Sequence, residues 1–201
     1  MRHHGRMTAV DELREKVGLF RRLAAEHDLD VRIEDPVELP EIPGCPPGLR
    51  AAFSDFSLAE GTFFRFRVPP AILDARAWAE RPILDYLPVD PVTIGHELWR
   101  ARAMGGDRIL EGEGISVDPE QGDVYYADTD TWLRFSEGYD GDFEAEDLAP
   151  DVPTFFTEYV FGPRYPELVT LVLGAGAPEH RDSWLRLLRT AGVLPSTGRV
   201  G

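Results

Sequence analysis

The stretch Gly114-Ile-Ser-Val-Asp-Pro-Glu-Gln-Gly-Asp-Val-Tyr-Tyr-Ala-Asp128 decides the fold. Ile115 and Val117 alternate with polar neighbours, Asp118-Pro-Glu-Gln-Gly122 supplies turn chemistry, and Val124 and Tyr126 resume the alternation. A period of two on both sides of a turn is an antiparallel hairpin, with Ile115, Val117, Val124 and Tyr126 on its buried face. By the same alternation Tyr125 points outward. A further tight connection at Asp128-Thr-Asp130 leads into Trp132-Leu-Arg-Phe135, read as a third strand with Trp132 and Phe135 on opposite faces. A three-stranded antiparallel meander is therefore expected.

Upstream of the meander, Thr62-Phe-Phe-Arg-Phe-Arg-Val68 is aromatic and β-branched, and it reads as a strand with Phe64, Phe66 and Val68 on one face. Pro70 to Glu80 reads as a helix with proline tolerated in its first turn. Between Pro82 and Met104 the pattern supports a strand near Val92–Ile94 and leaves strand or helix open around Trp99. At the start, Thr8-Ala-Val-Asp11 has capping-box spacing, and Val10, Leu13, Val17, Phe20 and Ala24 then fall on one helical stripe ending near His27–Asp28. Five prolines within residues 35–48 make a loop, followed by a short helical turn over Gly48–Phe53.

Downstream, Asp151 is placed to cap a helix carrying Pro153 in its first turn, with Phe155/Tyr159 and Phe156/Val160 at i,i+4. Gly162-Pro163 stops it. A second helix ends at Gly174, and a third, over Asp182–Ala191, buries Trp184, Leu185 and Leu188. Helices flanking antiparallel strands make the fold class α+β: an antiparallel or mixed sheet with a central meander, packed by N- and C-terminal helices. At 201 residues the chain reads as one domain, with residues 163–201 its helical extension.

Charge is unevenly placed. The net charge is −15, and residues 107–151 hold fifteen Asp or Glu against two Arg, a net −13. Such a chain is poorly suited to neutralising phosphates, so nucleic acid is not an expected ligand. The one cysteine, Cys45, excludes an internal disulfide framework and fits a reducing, cytoplasmic setting. No run approaches 18 apolar residues, and the charged opening never becomes a signal h-region, so neither a membrane span nor secretion is expected.

Motifs for catalysis fall short. Gly114-Ile-Ser116-Val-Asp118 fails the nucleophile-elbow pattern at its last position and precedes a turn rather than a helix. Gly174-Ala-Gly176 lacks the third glycine of a dinucleotide loop. His3, His4, His27, His96 and His180 never reach metal-ligand spacing, and His96-Glu97 has no second His four residues on. Asp140-Gly-Asp142-Phe-Glu144 begins like a calcium loop, but Ala145 stands where glycine is needed for the sharp turn. No catalytic residue, metal or cofactor is expected, and an exposed Tyr125 beside acidic residues reads as an interface anchor.

The succession GISVDPEQGDVYYADTD, an acidic loop and then DVPTFFTEYVFG resembles the SUKH superfamily, in which a strand, a D-P/x-x-x-G turn and a V-Y/W strand precede a helix with a double aromatic. ELPEIPGCPPGLRAAF is similar to the proline-led helix of that family, and the resemblance spans residues 38–162. It implies an α+β fold without catalytic residues, and a role like that of the bacterial members, mostly immunity proteins that bind and neutralise toxins, often nucleases, of polymorphic or contact-dependent systems. The surface it implies is the meander with Asp118, Glu120, Asp123, Asp128 and Asp130, and with Tyr125 and Trp132 as anchors. Independently, the −13 segment suits a basic protein partner, because complementary fields raise association rates and select partners. The alternatives are a small enzyme using the acidic loop to hold a divalent metal, and a regulatory interaction module with no toxin partner.

Overall fold

The computed structural model describes residues 7–81, 91–103, 106–138, 143–177 and 179–196. Helix α1 (Ala9–Glu26) begins as its capping box dictates: Asp11 N donates to Thr8 Oγ1 at 3.2 Å, and Thr8 Oγ1 donates to the Asp11 carboxylate at 2.6 Å. Its stripe of Leu13, Val17 and Phe20 is fully buried. Strand β1 (Arg32–Glu34), the proline loop and α2 (Pro47–Ala52) follow, then β2 (Leu58–Glu60) and β3 (Phe64–Arg67).

The helix expected over Pro70–Glu80 is two pieces. A 3-10 turn (Pro70–Ile72) gives way to α3 (Ala75–Ala79) because Asp74 leaves helical geometry, with φ −153° and ψ 156°, and accepts from Arg76 N at 2.7 Å and Ala77 N at 2.8 Å. An aspartate that can satisfy the orphan amides of a new helix competes with continuing the old one.

The open stretch near Trp99 is extended: β4 (Val92–Ala103) pairs with β5 (Gly106–Val117) along a long hairpin with two bulges, Thr93/Gly95 and His96/Leu98. The hairpin expected over Ile115–Tyr126 is present. Strand β6 (Val124–Tyr126) aligns Ile115 with Tyr126 and Val117 with Val124. Its turn closes through Gly122 N donating to Asp118 O at 2.7 Å, with Gly122 at φ +86°, where a side chain would be strained.

The third strand is not where the sequence put it. Trp132–Phe135 lies in helix α4 (Thr129–Ser136), capped by Asp128, and the strand that completes the meander is β7 (Glu146–Ala149). Asp128-Thr-Asp130 reads equally as a turn or as a helix start, and the carboxylate accepting from Thr131 N settles it as the latter. Trp132 and Phe135 consequently do not straddle a sheet; both rings meet Phe143, at 4.7 and 5.7 Å between centroids.

The described strands form a seven-stranded antiparallel sheet whose spatial order is the order of the chain, β1 to β7. The fold is α+β. Sharing one core with the sheet are α1, α2, α5 (Val152–Phe155), a π-helical turn over Phe156–Val160, α6 (Tyr165–Leu173) and, after an unburied 3-10 turn over Glu179–Arg181, α7 (Ser183–Thr190). Asp151 caps α5 as expected, and Phe155 stacks on Tyr159 at 5.7 Å. Rings of Phe53, Phe56, Phe66, Phe156 and Phe161 pack edge-on in the middle of the core, worth about 0.5–1.5 kcal/mol per pair beyond their buried area. Residues of α6 and α7, among them Tyr165, Leu168, Trp184 and Leu187, belong to this same core.

The opposite sheet face is charged near β3. Arg65 and Arg67 both reach Glu111, at 2.9 and 3.0 Å, Arg65 also pairs with Glu60, and His96 lies 3.9 Å from Glu111. Burial opposes ionisation of Glu111, but the two arginines and His96 hold its pKa below the ordinary range. One acid of the −13 segment is thereby committed to the fold.

Candidate functional site

The expected surface divides at β6. At its leading end Asp118 is a buried structural group, 7% exposed, whose carboxylate accepts from Glu120 N at 2.7 Å and Gln121 N at 3.2 Å in an Asx turn. Glu120 is exposed and Asp123 half-buried on that turn. At the trailing end Asp128 and Asp130 are exposed at the start of α4, and the Trp132 indole donates to Ala127 O at 3.1 Å. The five steps of extended chain from Asp123 to Asp128, through β6, keep the two groups about 16 Å apart, so they are not one patch.

Tyr125 does not point into solvent. It is 3% exposed, and its partner across the hairpin, Ser116, is 4% exposed. Alternation predicts an outward residue only when one face is wet, and every residue of β6 is buried. Ser116 stands 3.4 Å from Thr93 Oγ1, a sheet contact rather than a nucleophile's setting. Asp140 and Asp142 of the calcium-like loop lie outside the described residues.

The trailing end of β6 opens into a feature the sequence did not disclose, an open cleft of about 620 Å³. One wall is the β4–β5 hairpin where it leaves the sheet: Glu97 stands opposite Phe64 at the end of the β3 pairing, and Trp99 and Glu113 lie beyond the residues paired with β3 and β6. Tyr126 and Asp128 form its base, and Leu171, Val172 and Leu173 at the C-terminal end of α6 form the other wall. Glu97 is 5% exposed, and among the described residues its carboxylate meets neither a hydrogen-bond donor nor a cation. Trp99, two residues on, is 58% exposed.

Gly112 permits this arrangement. A Cβ at that position would lie 2.4 Å from Trp99 Nε1 and 2.7 Å from Glu97 Oε2, so both side chains rest on the bare backbone of β5. The field in the cleft registers on the tyrosine: burial, followed by Glu113, Asp128 and Glu97, pushes the Tyr126 pKa up to about 12. Asp128 itself titrates below its ordinary value because it accepts from the backbone of Thr131. Among the described residues no three of His, Cys, Asp and Glu are disposed to hold a metal ion.

Searches against family models, curated proteins and solved structures find no match to this chain. Among the described residues no helix is long and apolar enough to cross a membrane.

Proposed function

We propose that this chain is a binding protein that neutralises a basic protein toxin, an immunity protein of a bacterial polymorphic or contact-dependent system. The observation that carries the reading is the concentration of negative charge: a net −13 on residues 107–151, which form strands β5, β6 and β7 and the capped start of α4 along one end of the sheet. A charge density of one sign steers an oppositely charged partner and raises its association rate by one to three orders of magnitude at low salt. Glu120, Asp123, Asp128 and Asp130 are the steering charges, while Asp118 sets the turn that presents two of them. Tyr125 supports the strand from within. The resemblance to the SUKH superfamily supports the toxin as the kind of partner.

The test is association kinetics against the toxin domain encoded beside this gene. The on-rate falls steeply as salt rises toward a Debye length of about 8 Å. Changing Asp123, Asp128 and Asp130 together to Asn lowers the on-rate and leaves the off-rate nearly unchanged, as rim charges do. A complex indifferent to both changes would reduce the acidic segment to a solubilising face, and no complex at all would favour a regulatory module.

A further inference from the structure

We infer that the cleft between the β4–β5 hairpin and the end of α6 binds the guanidinium of an arginine side chain presented by the partner, with Glu97 as its counter-ion and the Trp99 indole as the surface on which it stacks. The inference rests on the proposed role as a binder of a basic protein and specifies the group that is bound.

Glu97 is nineteen-twentieths covered as a residue, its carboxylate meets no cation among the described residues, and a partly desolvated charge of this kind favours a pairing partner. It lines an open cleft rather than a sealed core. Glu113 and Asp128 line the same cleft and add to the potential, while the C-terminal end of α6 contributes the negative end of a helix dipole. The three carboxylates do not converge as metal ligands would, so the geometry suits a broad, delocalised cation better than a compact ion.

The rest of the cleft suits the shape of arginine. An exposed indole beside the carboxylate offers a face for a flat cation, the arrangement in which Arg exceeds Lys. Phe63, Val172 and Leu173 provide apolar surface for a methylene stem. Gly112 keeps Trp99 and Glu97 side by side, because any side chain there would displace one of them. Leu110, opposite Trp99 across the hairpin and 51% exposed, extends the apolar surface toward the protein that carries the arginine.

The probe is N-acetyl-arginine amide, titrated into the intact chain while the indole N–H resonance of Trp99, assigned with Trp99→Phe, is followed by NMR. The expected result is a saturable shift with Kd of about 1–10 mM, as suits one small cation. N-acetyl-citrulline amide, the same shape without charge, should not saturate, and N-acetyl-lysine amide should bind at least about threefold more weakly. Glu97→Gln should weaken the arginine probe about tenfold or more, with no loss of thermal stability, since the carboxylate has no partner to lose among the described residues. Glu113→Gln, at a half-buried position, is the second variant and should weaken it by a smaller factor in the same direction. No saturable shift, equal binding of citrulline or lysine, or affinity unchanged in Glu97→Gln would overturn the inference. Arginine binding without a basic protein partner would keep the cleft and remove the immunity reading, whereas salt-sensitive partner binding without an arginine response would do the reverse.

Discussion

Thr62 and Ser183, 121 residues apart, hold each other by reciprocal hydrogen bonds: Thr62 N donates to Ser183 Oγ and Ser183 N to Thr62 Oγ1, each at 3.0 Å, with the two hydroxyls 2.9 Å apart. The pair ties the first turn of α7 to the connection between β2 and β3, and Ser183 is fully buried. Ser183→Ala leaves Thr62 N without its acceptor and should cost about 1–3 kcal/mol. The double change Thr62→Val with Ser183→Ala should cost clearly less than the sum of the single changes, because the second loses a bond already broken. Urea unfolding of the four proteins measures both quantities.

Asp182, one residue before that contact, caps α7 by accepting from Trp184 N at 2.9 Å and Leu185 N at 3.2 Å, and it is 1% exposed. Burial raises its pKa and outweighs those amides, which work to lower it. A carboxyl whose folded pKa is raised contributes stability that is complete below the unfolded value, about 4, and is lost as pH rises through the folded value. Asp182→Asn keeps a capping side chain without the charge. The stability of the original chain relative to this variant should fall as pH rises from about 4 through the raised pKa, read from urea midpoints across a pH series.

Asp128 serves the fold and the steering field by separate means, and substitution can part them. Helix α4 buries none of its residues, so Asp128→Ala should act locally: loss of the cap costs about 1 kcal/mol and speeds amide exchange about fivefold over Thr131–Phe135, with little change in melting temperature. Asp128→Asn retains a cap and should leave exchange nearly unchanged. Hydrogen-exchange NMR on the two variants distinguishes them.

Much of the architecture was legible because it is written in short-range patterns. The Ile115–Tyr126 hairpin, the Thr8 and Asp151 caps and the stop at Gly174 each depend on residues within a few positions of one another. Trp132–Phe135 misled because an Asp followed by two polar residues starts a helix as readily as it closes a turn, and only the distant strand Glu146–Ala149 decides which strand pairs with β6. Tyr125 misled for a related reason, since period-two alternation locates faces without saying whether the second face is wet. The cleft was hidden because Glu97 and Glu113 come together through bulges at Thr93/Gly95 and His96/Leu98, which shift register without a composition signal. The trace that could have found it is the alternation of Glu97 and Trp99 ahead of Gly105-Gly106, a hairpin signature across the stretch left open.

The order of the strands has a consequence for self-association. A sheet built in chain order ends in its first and last strands, here three and four residues long and bearing Arg32, Glu34, Glu146 and Asp147. Short, charged margins of this kind resist the addition of a foreign strand. The projecting hairpin is the counter-example among the described residues: Trp99 to Ala103 and Gly106 to Leu110 pair only with each other, so their outward backbone amides and carbonyls face no third strand. Ile109 and Leu110 stand exposed along it. The molecule is thus guarded where a sheet usually invites polymerisation and receptive along the arm that carries Trp99, so a bound chain would meet unpaired backbone beside the carboxylates.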